Sequence, residues 1–556
     1  MRKSMRVGVL ALACGLVAAI PLAFGALAGA DTELTTLDPA RNTALPCEDI
    51  GGTQGKGLVT RAAKNIDHLA NVCGFVGTDT EFQSRRDSAG NVHDYAFIGT
   101  MGGGLRIYDV TNPGRPVFAG GYLDAGWEND IQVWGNIASS GFDGVVGEPS
   151  TTSTCMRLNF GPTNDSGVDF FKLTYHPSAA ASGSGPHFTL TNPTCIANPP
   201  GGAHNHTVNP QRTWLAISNC CSDWAIDVID LRPVTVGRSR VDLADSGFPL
   251  HRYRLIDETK ATAGVCEGRT TAPGPVQCIV MKRPDGSSAA GLWRPHDVHF
   301  TKDGKTAFVA AINATWIIDV SNVLNGQVRT LTIIPNRTGE TDPSREIDIS
   351  HQADITSDGK ILVIGDEKGG GLSNTDCNTG PSGQIGAVHF WALAPIKGIA
   401  KSAGASLTSP KKLGAYINPS PALGPDPLQE AIDALNLRRE LSGLPRFERG
   451  CTAHVFRLGG DGTASPGEVA PGFDGVSRLP NRRLIEAWYG AGVWYIDFSG
   501  PPRNDDGVAE DARTTWGNTL GWNVMPGADT WSFKEYRGKG VAADMVRGLD
   551  TFALNP

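Results

Sequence analysis

GGGLRIYDVTNPGRP, from Gly102 to Pro116, is the stretch from which the fold of this chain is read, because the same design recurs along its 556 residues. It returns as DWAIDVIDLRP (Asp223 to Pro233), ATWIIDVSNV (Ala314 to Val323) and GAGVWYIDFSGPP (Gly490 to Pro502). Each version sets aliphatic or aromatic residues beside an aspartate (Asp109, Asp230, Asp319 or Asp497) and then breaks into a polar or proline-containing turn. Short apolar runs closed by turn residues are strand signals. Their spacing is too irregular for a solenoid, so the recurrence predicts a ring of small sheets. A blade of four strands cannot bury both of its faces alone, so blades stack around an axis and close on themselves. The expected fold is all-β: a seven-bladed β-propeller with long loops and one short helical insertion.

Working outward, residues 1–30 read as an export signal. Arg2, Lys3 and Arg6 precede an apolar run, and Ala28-Gly29-Ala30 fits a small-residue cleavage site before Asp31. A secreted, extracellular protein is the expectation. Residues 31–65 read as an irregular lead-in and 66–556 as a single propeller domain. An insertion at about 396–450 carries apolar residues at helical spacing from Asp426 to Leu441. The first blade is expected to start at Ile66 and to use NVCGFVG, HDYAFIGT and LRIYDV. The last segment, Trp531 to Leu554, supplies strands of a seventh blade that an N-terminal strand can complete.

Composition narrows the partners. A net charge of −8 without a basic cluster excludes nucleic acid as the expected partner. Beyond the signal, no stretch approaches the roughly 20 apolar residues of a membrane span. Of the eleven cysteines, Cys14 lies in the signal, leaving an even set in a chain sent to an oxidising compartment, where disulfides are the expected use. Proximity suggests Cys47 with Cys73, Cys155 with Cys195, Cys266 with Cys278 and Cys377 with Cys451. Cys220 and Cys221 are adjacent, and a vicinal disulfide or two separate pairings both remain open.

The candidate chemistry lies upstream of the repeats. Aligning RPHDVHFTKDGKTAF (Arg294 to Phe308) with HNHTVNPQRTWL (His204 to Leu215) sets His299 against His206. SHQADITSDGK (Ser350 to Lys360) then places Asp354 at that position, and CTAHVF can place His454 there. In a propeller the first strand of each blade lies nearest the axis, so equivalent positions converge on the central channel. Two residues earlier, on the same side of the strand, come His204, Asp297, Gln352 and Asp130. His296 and His351 fall at strand starts, facing the mouth. Six of the chain's twelve histidines are thereby gathered in one region. Imidazole with carboxylate suits a transition metal such as Cu, Zn, Fe or Mn. The candidate ligands are His204, His206, His296, His299, His351, Asp354 and His454, with Asp130, Asp297 and Glu128 available to orient them. The competing expectation is that these side chains fasten one blade to the next.

GLRIYDVTNPGRP, AIDVIDL, WIIDVSN and the closing AADMVRGLDTF together resemble the LVIVD-repeat proteins, a family of exported β-propellers, over most of the chain after the signal. That resemblance implies the fold and brings no catalytic residues with it. RPHDVHF is also similar to the short histidine contexts of the selenium-binding protein and methanethiol oxidase propellers. That likeness implies copper and thiol oxidation at the same histidines.

No G-x-S-x-G elbow, H-E-x-x-H helix or phosphate-cradling glycine loop is present. Asp366 and Glu367, at a blade turn, lack the dense oxygen pattern of a calcium loop. Two functions stay open: a metal centre at the channel that supports small-molecule binding or oxidative or hydrolytic chemistry, and a non-catalytic scaffold that binds extracellular protein or glycan.

Overall fold

The computed structural model describes residues 61–555 apart from 103, 123–125, 128, 143, 146–166, 198–202, 221–223, 233–249, 262–276, 370–384, 420–425, 442–449, 461–476 and 504–509. The signal segment, Cys47, Glu128, Cys155, Cys221, Cys266 and Cys377 lie outside the described residues. Seven blades surround an axis, antiparallel except where Gln277–Val280 adds a parallel edge strand to Leu250–Ile256 in blade 3. Their innermost strands are Gly77–Arg86, Asp130–Trp134, Asn205–Val208, Asp297–Phe300, Ser350–Ile355, Phe456–Leu458 and Thr530–Tyr536, for blades 1 to 7 in chain order.

The repeated aspartates end or nearly end the third strands of blades 1, 3, 4 and 6, and the structure shows what they do. The Oδ1 of Asp109 accepts from the backbone N–H of Thr111 at 2.9 Å, that of Asp230 from Arg232 at 3.0 Å, that of Asp319 from Ser321 at 3.1 Å and that of Asp497 from Ser499 at 2.8 Å. A carboxylate that bonds the amide two residues on turns the chain locally. The aspartate therefore stops the strand by its own chemistry.

Both faces of each blade are apolar and pack on neighbours, giving a separate buried cluster at every interface around the ring. Trp293 and Trp316 meet edge to face, 5.0 Å apart, between blades 3 and 4, and Trp488 and Trp494 do the same work between blades 5 and 6. Burying such a side chain contributes on the order of 2 kcal/mol.

The ring is closed by its two ends. Ile66–Val72 is not a strand of blade 1. It pairs antiparallel with Gly548–Leu554 as the outermost strand of blade 7, and blade 1 starts at Gly77. Ala62–Lys64, expected in an irregular lead-in, forms an edge strand on blade 6 against Asn518–Val524. The closing strand is held by a buried polar cluster. Asp550 receives both Nε and Nη2 of Arg547 at 2.9 Å, Asn71 Nδ2 at 2.9 Å and the His68 ring at 2.7 Å. Burial works against the Asp550 carboxylate, and the Arg547 and His68 charges override it, holding its pKa far below the ordinary range.

The expected insertion helix is present as Gln429–Leu441. Ile432 and Leu435 pack on Val76, Met101, Tyr489, Met545 and Val546, which places the helix over the face where the inner strands of blades 6, 7 and 1 begin. Cys73, Cys220, Cys278 and Cys451 are in disulfides. Among the described residues no helix is long and apolar enough to cross a membrane.

Replacing Asp550 with Ala would strand the buried Arg547 guanidinium and should cost about 3–5 kcal/mol. Equilibrium denaturation of wild type and variant measures this, and a loss below about 1 kcal/mol would mean that the ring does not depend on this closure.

Candidate metal centre at the channel mouth

Side-chain alternation on the inner strands decides which residues see the axis. The backbone N–H of His204 bonds Ser218 O at 3.1 Å, that of His296 bonds Ala310 O at 2.8 Å and that of His454 bonds Ala487 O at 3.0 Å. These are the same bond in three blades, so His204, His296 and His454 are equivalent, and His351 joins them in blade 5. All four line a cavity of about 70 Å³ at the mouth, with Thr78, Asn129 and Trp531 from the remaining blades.

This register differs by one residue from the sequence alignment in blade 3. Counting back five from the left-handed turn residue gives His299 from Gly304 (φ 64°) and Asp354 from Gly359 (φ 69°). In blade 3 the left-handed residue is Arg212 (φ 58°), which puts Thr207, not His206, at the His299 position. An arginine where glycine is the usual occupant hid the true alignment. A one-residue slip turns a side chain to the other face of the strand. His206 accordingly points away from the cavity, into the seam with blade 2. Its Nε2 is 2.6 Å from Ser139 Oγ, its Nδ1 is 2.9 Å from Asp130 Oδ2, and its backbone N–H donates to the same carboxylate oxygen at 2.6 Å. Gly141 leaves the space for this ring, since a Cβ there would sit 2.7 Å from His206 Nδ1. Burial raises the Asp130 pKa to about 6, against the opposing pull of His206.

His454 likewise falls beside the start of its inner strand, in the layer of His296 and His351 and not in that of His299. The four imidazoles form a continuous arc. Ring centroids are 4.3 Å apart for His204 and His296, 4.2 Å for His296 and His351, and 4.3 Å for His351 and His454. Nδ1 of His296 donates to the carbonyl of His351 at 3.1 Å, and Nδ1 of His454 to the carbonyl of Trp531. His296 and His454 thus turn Nδ1 toward the corresponding residue of the next blade. Nε2 is left for the axis, where His204 and His296 bring theirs to 2.8 Å.

Glu367, at the end of the second strand of blade 5, closes the arc. Its carboxylate lies 3.7 Å from Nε2 of both His351 and His454 and accepts from Tyr489 OH at 2.6 Å. Ligand atoms of His296, His351 and Glu367 all lie within 4.8 Å of one another. Burial, reinforced by neighbouring imidazoles, holds His296 and His351 well below the ordinary histidine pKa, so both are neutral bases at pH 7. Cys220 Sγ comes equally near His204 and His296, but a disulfide sulfur has no thiolate to offer.

Beneath the arc lies a charged layer. His299 Nε2 is 3.0 Å from Asp297 and its Nδ1 is 3.9 Å from Asp354. Burial opposes its protonation, yet the two carboxylates prevail and raise its pKa to about 9. His299 is therefore a cation paired with Asp297, whose own pKa it lowers against the effect of burial. Across the channel, Lys534 bonds Asp79 at 2.9 Å and Glu81 at 2.8 Å. The structure brings together His204, His296, His351 and His454, sets His299, Asp297 and Asp354 one layer below, and sends His206 into a seam, where it meets Asp130 at the cavity wall.

Two outcomes check this assignment. His206→Ala should lower stability by about 1–3 kcal/mol through the polar groups it leaves unpaired, and should leave metal binding unchanged. A loss of metal would return His206 to the channel. Because the His299 pKa is raised, its stabilising pairing is full below about pH 6.5, the value for an unfolded histidine, and is lost as pH rises through about 9. The stability gap between wild type and His299→Gln should shrink across that window in denaturation at successive pH values.

Comparison with known proteins adds the following. No curated protein sequence matches. Among solved structures, the periplasmic gluconolactonase PpgL of Pseudomonas aeruginosa is similar at 12% identity, over 87% of this chain and 99% of that one, with a TM-score of 0.39. The β-propeller domain of Cps50 (Swd1) from Myceliophteria thermophila is similar at 8% identity, over 86% and 99%, also at 0.39. Among protein families, the LVIVD repeat matches residues 92–124, which contain the second and third strands of blade 1 and Asp109. The chain carries an LVIVD repeat within a seven-bladed β-propeller.

Proposed function

We propose that this is a secreted protein that binds a transition metal ion at the mouth of its channel, through Nε2 of His204, His296, His351 and His454 with the Glu367 carboxylate beside them. The observation that carries the reading is the shared orientation of the arc. His296 and His454 direct Nδ1 to the next blade's backbone, and ligand atoms of His296, His351 and Glu367 lie within 4.8 Å of one another, the arrangement in which a metal-binding histidine is normally held. Fasteners between blades would need only one nitrogen each and no convergence of the other. The donor set of neutral imidazoles and a carboxylate suits Zn, Cu, Fe or Mn.

A metal there would act as a Lewis acid or activate bound water or oxygen. The cavity that these imidazoles line, about 70 Å³, has room for a small molecule or a few waters. Trp531, whose ring lies 4.5 Å from that of His454, walls one side. We assign small-molecule binding, with oxidative or hydrolytic chemistry, to this space.

Inductively coupled plasma mass spectrometry on protein purified without chelator or affinity nickel tests the proposal. Wild type should carry one equivalent of metal that the His296→Ala/His351→Ala variant lacks. Equal metal content in the two, after reconstitution with Cu, Zn, Fe and Mn, would overturn it and favour the protein- or glycan-binding scaffold.

A further inference from the structure

At the end of the ring opposite the imidazole arc, blade 1 departs from its sister blades. In blades 3, 4 and 6 the turn-forming aspartate also meets permanent cations. Asp230 is paired with Arg232 at 2.7 Å and Arg252 at 2.9 Å, Asp319 with Arg329 at 3.3 Å, and Asp497 with Arg503 at 2.7 Å and with Arg483. In blade 1 the corresponding Asp109 is met by two imidazoles. His93 Nδ1 lies 2.6 Å from Asp109 Oδ2, and His187 Nδ1, from the start of the outermost strand of blade 2, lies 3.7 Å from the same oxygen. A guanidinium cannot bind a metal, and an imidazole can. The repeats thus supply an internal comparison in which only one copy has exchanged cations for ligands.

We propose that His93, Asp109 and His187 form a second divalent-metal site, of the zinc class, that ties blade 1 to blade 2. Their ligand atoms all lie within 4.8 Å of one another, and Asp109 and His187 are buried with His93 half-buried. The supporting groups match the demands of such a site. Asp109 Oδ1 is occupied by the Thr111 amide, leaving Oδ2 for the ion. His93 Nε2 lies 3.3 Å from Asp87 Oδ2, the carboxylate that orients a metal-bound imidazole from behind. Asp87 is itself fixed by the amides of Ala89 and Asn91, both at 2.8 Å, and by Asn91 Nδ2 at 2.9 Å. Tyr95 OH, 3.0 Å from His187 Nδ1, approaches the same point. Two nitrogens and one carboxylate oxygen make three protein ligands, with the fourth position left to Tyr95 or to water.

The alternative, a protonated His93 held between two carboxylates with no ion, predicts the opposite result in the following experiment. Zinc is titrated into wild type, His93→Arg, His187→Gln and Asp87→Asn, with bound zinc counted after gel filtration and the melting temperature recorded. His93→Arg recreates the pairing of the sister blades, so it keeps the fold even if His187→Gln does not. Wild type should hold one zinc more than His93→Arg, and zinc should raise the melting temperature of wild type more than that of the variant. Asp87→Asn should weaken this zinc about 10–100-fold. The same zinc count and the same thermal response in wild type and His93→Arg would overturn the proposal. The channel histidines are intact in every variant, so the difference from wild type reports this site alone.

Discussion

A blade with two apolar faces and no helix to cover either can be stable only between two other blades, so the ring must close, and everything at the axis depends on that closure. Here the last seam is made by the chain's own ends, with Ile66–Val72 completing blade 7 and Asp550 binding His68, Asn71 and Arg547 in a buried knot. The interface clusters around the ring then fix each inner strand relative to the next. With that spacing set, the same strand position in consecutive blades arrives at one place. Four imidazoles meet at ring distances of 4.2–4.3 Å without any of them being near another in sequence.

How much of this was legible in the sequence follows from which forces are local. The aspartate that ends a repeat bonds the amide two residues on, a contact made entirely within the quoted stretch, so the strands and their recurrence could be read directly. That an N-terminal strand would complete the seventh blade was legible, but which strand it is could not be read the same way. Its apolar pattern is that of any propeller strand, and its partner Asp550 stands 482 residues from His68. Reading it as the start of blade 1 was the natural local answer and the wrong one.

The axial site shows the same division. That histidines and carboxylates gather there was visible, as was the facing of His296 and His351 toward the mouth. Their exact layer was not, because alternation makes a one-residue error change the face, and Arg212 occupies the left-handed turn position that Gly304 and Gly359 mark in blades 4 and 5. The register suggested by the sequence alone therefore puts His206 in the channel, while its ring packs on Ser139, Asp130 and Gly141. Glu367 was visible only as an acidic turn residue. Nothing in its neighbourhood signals that Tyr489, from another blade, would hold it beside two imidazoles.

The central claim is that the arc is a metal centre and not a set of fasteners, and an anomalous-difference map from crystals of the metal-loaded protein tests it most directly. The account predicts a peak at the channel mouth about 2.0–2.3 Å from Nε2 atoms of the His204, His296, His351 and His454 group. A map with no peak there, at metal concentrations that saturate the protein, would contradict it.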